Sequence, residues 1–556
     1  MIRMQTGGQI LAACLAAQGV RRIFGVPGES YLAVLDALLD HPEIEMIGNR
    51  NEGGAAYMAC AHGELTGKPG ICFVTRGPGA TNASIGVHSA MQGSVPMILF
   101  IGQIARDMRG REAFQEVDYR AFFGPLAKWA VEVDSAERLP ETIARAFVVA
   151  QSGRPGPVVV ALPEDMLTEM SAARPTPPVK LAEAAPSVDA IYELRRLLGR
   201  AERPLIVLGG SGWSETGRAD LAAFAEANHI PVATAFRFQD LISHFSPSYC
   251  GDVGLGKTKA MRAALDEADL IFSLNIRFGE NTTDGYALWP VPRMGKVLVH
   301  AHASDGELGK IYQPDLPIHS HPNALSATLK GIDLRGNWAD WCARCHEGYV
   351  ASLSIPPQPG ALDMGKVVAH LQAVLPEAAI LTNGAGNFAI WSNKYFRFGP
   401  KARLLAPQSG AMGYGLPAAI AAKLECPDIP VVCFAGDGDF QMNLNELGTA
   451  MQHGAMPIVL VVNNGTYGTI RMHQERTYPA RVSFTDIDNP DFVALAKAYR
   501  AHAERVTRTE DFPAAFARAC ASETGAVLEL VIDPESLTPG QTLSQMRAAG
   551  KAKDNP

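Results

Sequence analysis

The chain is expected to be an α/β protein of three doubly wound parallel-sheet domains. Three observations lead there. Short apolar runs of strand length alternate with segments of helical apolar spacing along most of the 556 residues. Two proline-rich stretches divide the chain into three comparable portions. One portion carries an unmistakable strand-helix-strand unit: Val431 to Ala435, then Leu444 to His453, then Ile458 to Val462. A length of 556 residues by itself suggests about three or four domains.

In the first portion, residues 1–173, apolar strands are expected near Arg22 to Val26, Glu43 to Gly48, Ile71 to Thr75 and Met97 to Gly102, with helices between. Arg174-Pro175-Thr176-Pro177-Pro178 cannot continue a helix or an inner strand and reads as a linker. The middle portion, 187–335, repeats the alternation at Leu205 to Leu208, Leu270 to Leu274 and Val297 to His300. Ile355 to Gly360, again rich in proline, leads to the third portion, 360–540, and 541–556 reads as a tail. No sequence repeat is visible between portions. All three sheets should be parallel, with helices on both faces.

Composition excludes several classes. A net charge of -8 and a pI near 6.0 leave no basic surface for nucleic acid. Nothing approaches the 18 or so apolar residues that a membrane span needs. The nine cysteines are irregularly spaced and, with Cys60, Cys72 and Cys433 in apolar runs, read as reduced core residues of a cytoplasmic protein. Leu11-Ala12-Ala13-Cys14 imitates a lipoprotein cleavage site but lies in a short apolar run, expected to be the first helix. Cys342-Ala343-Arg344-Cys345-His346 imitates a haem attachment motif and is expected to be a solvated helix. Gly251 to Thr258, GDVGLGKT, fits the phosphate-loop pattern, but His244 to Tyr249 before it does not read as a buried strand, so an ATPase is rejected.

The chemistry is concentrated in Gly436-Asp437-Gly438, followed after 24 residues (439 to 462) by Asn463-Asn464. Asp437 and Asn464 stand where two strands end, so both can present an oxygen at one sheet edge, where open parallel sheets bind ligands. A carboxylate, an amide oxygen and a backbone carbonyl, completed by phosphate oxygens and water, form the hard shell that Mg²⁺ prefers. A helix opening there offers N–H groups to a diphosphate.

At these residues the chain resembles the thiamine-diphosphate enzymes, in the branch that contains acetohydroxyacid synthase, pyruvate oxidase and glyoxylate carboligase. The resemblance covers nearly the whole chain and implies a pyrimidine-binding first domain, a middle domain and a diphosphate-binding third domain. It assigns Mg²⁺ to Asp437, Asn464 and Thr466, and the cofactor's diphosphate side to Gly386, Asn387, Gly436, Gly438, Asp439 and Asn464. Ser409 to Gly415 is similar to the segment that holds the cofactor bent, with Met412 wedged between its rings and the Gly410 carbonyl receiving its amino group. Pro78 and Asn82 belong to a loop similar to the pyrimidine-side loop. Asn51 to Ala59 resembles the catalytic glutamate motif, which makes Glu52 the carboxyl that activates the cofactor; taken alone, Glu52 reads rather as a helix-opening acid. Gln115 matches the glutamine that approaches the reacting centre, or is a polar loop residue.

The implied reaction is decarboxylation of a small 2-oxo acid with carboligation of the enamine to a second carbonyl, as in acetolactate synthase. Alternatives are a non-oxidative decarboxylase, a flavin-linked oxidase and a non-catalytic cofactor-binding paralogue. The chain departs from its relatives in two places: His473 stands where acetohydroxyacid synthases carry an acceptor-selecting tryptophan, and Asn281 replaces an arginine. Arg471 is a candidate to receive a substrate carboxylate, or a solvated arginine. Gly209-Gly210-Ser211-Gly212 is too short a pattern to establish FAD. The resemblance also implies a homodimer or homotetramer with active sites between subunits.

Overall fold

The computed structural model describes residues 4–334 and 336–554; the boundary expected at 335 and the last two residues of the 541–556 segment lie outside them. Three six-stranded sheets are built entirely of parallel pairs. The first contains β1 (Arg22–Gly25), β2 (Glu45–Gly48), β3 (Gly70–Val74), β4 (Met97–Gln103), β5 (Trp129–Glu132) and β6 (Pro157–Pro163), in spatial order β2-β1-β3-β4-β6-β5. The middle sheet contains β7 (Pro204–Leu208), β8 (Val232–Thr234), β9 (Tyr249–Asp252), β10 (Leu270–Leu274), β11 (Val297–His302) and β12 (Leu316–His319), ordered β9-β8-β7-β10-β11-β12. The third contains β13 (Ile380–Asn383), β14 (Arg403–Leu405), β15 (Val431–Gly436), β16 (Ile458–Asn463), β17 (His502–Val506) and β18 (Ala526–Val531), ordered β14-β13-β15-β16-β18-β17. The first and third sheets thus share one topology without sharing a visible sequence repeat.

Strands β3, β4 and β6 are buried at every position because helices cover both faces. Successive side chains of β4 enter two different cores: Met97, Leu99 and Ile101 one, Ile98 and Phe100 the other. The first of these cores continues into the third domain.

The helices that position the site are α1 (Gly7–Ala17), α2 (Glu52–Thr66), α3 (Pro78–Gly93), α4 (Ala339–Ala351), α5 (Ala389–Tyr395), α6 (Gly415–Glu425), α7 (Asp437–Gln441), α8 (Leu447–Gln452) and α9 (Gly468–Thr477). Helix α1 opens with a capping box between Thr6 and Gln9 and buries Ile10, Leu11 and Cys14. The alanine-rich α2 lies between α3 and α6; Gly86 touches Ala56 so closely that any side chain there would collide. Among the described residues, no helix is long and apolar enough to cross a membrane. The nine cysteines are all free.

Two expectations need correction. Helix α4 is not solvated along the cysteine face: Cys342 and Cys345 are buried, and the Trp341 indole beside them donates to the Pro204 carbonyl at 2.9 Å. Residues 244–248 before the GDVGLGKT segment form turns, as expected, and strand β9 starts only at Tyr249 and runs into its first two residues. The phosphate-loop reading fails also because the Lys257 ammonium donates to Asp284 at 2.6 Å and to the Gly254 and Asn281 carbonyls. The segment after 540 is no loose tail: Leu543–Asp554 is a helix packed on α9, with Leu543 and Met546 against Met472 and Leu537.

Candidate active site

A cleft of about 220 Å³ opens at the carboxyl ends of β13, β15 and β16, where the third sheet's strand order reverses. Asp437 begins α7 directly after β15, and Asn464 directly follows β16. One short loop links them: the Gly465 N–H donates to Asp437 Oδ2 at 2.9 Å, and the Thr466 N–H to Asn464 Oδ1 at 3.2 Å. Asn489 donates a further 2.8 Å bond to Asp437 Oδ2. Burial pushes the Asp437 carboxyl above its ordinary value, while the Asn489 amide and the Gly438 and Gly465 N–H groups oppose the shift. The Thr466 hydroxyl donates to the Thr485 carbonyl at 2.7 Å, which fixes its orientation.

Asp439 lines the same cleft, yet its carboxylate works on the protein. Oδ1 accepts the N–H of Gly413 at 2.8 Å and of Ala385 at 3.1 Å, tying together the loops that carry Met412 and Gly386. Gly384 lies so close beneath this carboxylate that a Cβ there would collide with it. Burial pushes the Asp439 carboxyl up to about 7. Arg237 arrives from the middle domain, buried and with φ of +60°, and donates to the Pro407 and Gly384 carbonyls of these loops. Gly410, with φ of +67°, turns the chain in the left-handed region just before Met412. Gly386, Asn387, Gly410, Met412, Gly436, Gly438, Asn464 and Thr466 all line the cleft with Asp437 and Asp439.

Glu52, Pro78, Asn82 and Gln115 form a second group that does not line this cleft within one chain. Glu52 is the first residue of α2, after the Asn51 cap, and its Oε2 accepts the Asn82 amide at 3.0 Å. Pro78 occupies the first turn of α3, where a missing N–H costs nothing. The Gly77 N–H donates to the Tyr119 hydroxyl at 2.7 Å, and a side chain at Gly77 would strike Gln115, itself held at φ of +66°.

Of the substrate candidates, His473 lines a larger neighbouring cavity of 630 Å³. Arg471 lines neither cavity and is not solvated: its Nε donates to the buried Glu475 at 3.2 Å, an acid that also accepts two bonds from Arg547 on the C-terminal helix. The i to i+4 spacing of Arg471 and Glu475 was readable; the distant Arg547 that completes the group was not. Arg237, Glu446 and Asn489 were missed for the same reason: each serves the site through residues far along the chain.

The Gly209–Gly212 segment is tied into the protein through its carbonyls and the Ser211 hydroxyl. Asn275 donates to the Ser211 carbonyl at 2.8 Å, Trp213 to the Gly209 carbonyl at 2.9 Å, and the Ser211 hydroxyl to Ser94 of the first domain. Asn275 presses directly on Gly210. Its glycines serve packing, and no step is assigned to FAD.

The family models that match are the thiamine pyrophosphate enzyme N-terminal TPP binding domain over residues 5–122, central domain over 191–330 and C-terminal TPP binding domain over 384–530. The acetolactate synthase isozyme 2 large subunit of Escherichia coli (strain K12) is 31% identical over 529 residues, 95% of each chain. The acetolactate synthase large subunit of Parasynechococcus marenigrum (strain WH8102) is 32% identical over 94% of this chain and 87% of its own. The probable acetolactate synthase large subunit of Methanocaldococcus jannaschii is 31% identical over 96% and 93%. A cleft at the reversal of the third sheet, three matched domains in order and relatives aligned over nearly their full lengths place this chain among the thiamine pyrophosphate enzymes, in the acetolactate synthase-like branch.

Proposed function

We propose that the protein is a thiamine-diphosphate- and Mg²⁺-dependent carboligase: it decarboxylates a small 2-oxo acid and joins the remaining unit to a second carbonyl, as acetolactate synthases do. The observation that carries this reading is the hard-oxygen set of Asp437, Asn464 and Thr466 beside Met412 and Gly410 in one cleft. This set suits Mg²⁺, which takes one or two carboxylate or carbonyl ligands and leaves the rest of its octahedron to phosphate and water. When bound, thiamine diphosphate supplies a nucleophilic carbanion and an electron sink for loss of CO₂.

The chain's own residues bind, orient and move one proton. Asp437, Asn464 and Thr466 would hold the metal. Asp439 fixes the Gly386 and Met412 loops at a common distance. Met412, an adaptable thioether, fills the gap between the cofactor's two rings. Glu52, oriented by Asn82, would hold the proton that activates the cofactor, and Gln115 on the adjoining loop would orient the substrate. Tyr467, Ile470 and Leu537 give the cleft an apolar wall.

Within one chain Glu52 stands apart from the Asp437 cleft, which favours a complete site made by two copies: a homodimer at least, or a homotetramer. Nine unpaired cysteines suit a cytoplasmic location.

The test is NMR of the products formed from pyruvate, alone and with added aldehydes or 2-oxo acids, by protein loaded with thiamine diphosphate and Mg²⁺. A ligated product such as acetolactate is expected. Free aldehyde alone would replace carboligation by simple decarboxylation, and no turnover across the panel would overturn the reading.

A further inference from the structure

The 630 Å³ cavity adjoins the cofactor cleft and shares Ala385, Gly386, Asn387, Gly410 and Thr469 with it. Such a volume falls within the roughly 300–1,000 Å³ of pockets that enclose ligands much larger than a three-carbon acid. Helix α9 contributes Thr469, Met472, His473 and Arg476, whose spacing sets them on one face. Helix α5 contributes Asn393 and Lys394, and the middle domain closes the far side with Arg237, Asp252 and Lys257.

The charges of this wall are unbalanced. Four cations line it, Arg237, Lys257, Lys394 and Arg476, against the single carboxylate of Asp252. Lys257 is cancelled by Asp284, and Arg237 is spent on backbone carbonyls. Lys394 and Arg476 remain: among the described residues neither makes a salt bridge, Lys394 lies 5.3 Å from the centre of the Tyr395 ring, and Arg476 is exposed at the cavity mouth. Asp252 does not reach Lys394 for a salt bridge; its Oδ1 accepts the Gly254 N–H at 2.8 Å. Lys394 is half-buried, and that burial draws its ammonium below the usual lysine range. A partly desolvated ammonium that has an aromatic ring but no salt-bridging carboxylate gains from a ligand that supplies an anion.

The carboxylate that a 2-oxo acid loses as CO₂ would have to lie at the cofactor cleft and cannot also satisfy this wall. We infer that the second cavity is the specificity pocket for a carbonyl substrate carrying a remote second anionic group, a carboxylate or a phosphate, received by Lys394 and Arg476. It rests on the carboligase reading of the neighbouring cleft and names the substrate class that the cleft serves. The field of the pocket also steers such a dianion inward. A neutral or monocarboxylic carbonyl compound leaves both cations unpaired and gains nothing from them.

The experiment is titration calorimetry on the protein loaded with thiamine diphosphate and Mg²⁺, using unreactive probes. Glutarate is compared with butyrate, and glycerol 3-phosphate with glycerol, in the wild type and in the Lys394→Gln/Arg476→Gln double variant; Lys394→Met with Arg476→Gln repeats the test with a side chain that keeps the aliphatic packing. The expected result is that one dianionic probe binds at least tenfold more tightly than its partner, and that this preference falls below twofold in both double variants. The pair that shows the preference tells carboxylate from phosphate. Equal binding within both pairs, or a preference that survives both substitutions, overturns the inference, as does stoichiometric FAD binding that expels the probes. Product NMR with pyruvate on the same samples keeps the two readings apart: absence of ligated product removes the carboligase assignment, whereas calorimetry alone decides the pocket.

Discussion

The Glu446 carboxylate accepts the backbone N–H of Asn51 at 2.9 Å, so a residue of the third domain holds the turn from which Glu52 projects. It also accepts the Arg50 N–H at 3.1 Å, the Asn49 amide at 3.0 Å and the Thr449 hydroxyl at 2.6 Å, and is fully buried. Removing it by Glu446→Ala leaves several buried donors unpaired, at about 1–3 kcal/mol for the first of them. The expected outcome is a lower urea midpoint together with a fall in kcat, with Glu446→Gln, which keeps one oxygen, in between. A variant of wild-type kcat would show that the turn needs no such support.

On the proposed role of Glu52 as the cofactor's proton partner, Glu52→Gln should lower kcat by roughly 10²–10⁴-fold with unchanged circular dichroism. If each complete site takes Glu52 from one copy and Asp437 from the other, mixing Glu52→Gln with Asp437→Ala protein restores some activity once subunits have exchanged. Mass spectrometry of the mixed oligomer establishes exchange; inactivity after that would disprove the shared site.

Asp439 bridges the Gly413 and Ala385 amides instead of facing the metal site as a ligand. Asp439→Ala should therefore raise the thiamine diphosphate Kd by about tenfold or more, through loosened loops, and Asp439→Asn, which keeps an acceptor, by much less. Fluorescence titration of cofactor binding gives both values.

Glu475 provides the pH dependence. Two bonds from Arg547, with help from the Ala480 N–H and Arg471, hold its carboxyl down at about 2 against an ordinary 4.5. A depressed carboxyl stabilises the fold above its unfolded pKa and loses that contribution as pH falls toward the folded one. The contribution is on the order of 3 kcal/mol. The docking of the Leu543–Asp554 helix on α9 should thus be intact at pH 6 and weaken between about pH 4.5 and 2. Hydrogen exchange of that helix measures this, and Glu475→Gln should show the weakened exchange already at pH 6.

Much of the site was legible in the sequence because its chemistry sits at strand ends. Val431 to Ala435 and Ile458 to Val462 are apolar at every position, as strands buried on both faces must be, and the polar residues at which each run stops are Asp437 and Asn464. The Glu52 and Met412 positions were readable only as likeness to a family, since a helix-opening acid and a methionine among glycines have ordinary local meanings. The solvated-arginine alternative for Arg471 and the solvated-helix reading of Cys342 to His346 failed on one point: local spacing shows that a helix forms, not what covers it.

The sequence by itself determined the three α/β units, their parallel sheets and the oxygen donors at the edge of the third, because strand and helix periodicity and the end of an apolar run are local properties. Only the tertiary structure decided which groups support those donors. Glu446 meets Asn51 across 395 positions and Arg237 meets Pro407 across 170. It also decided the cationic pocket beside the cleft, whose walls come from the middle and third domains. Contacts over such separations depend on how the domains pack, and no pattern within either segment encodes the other's place.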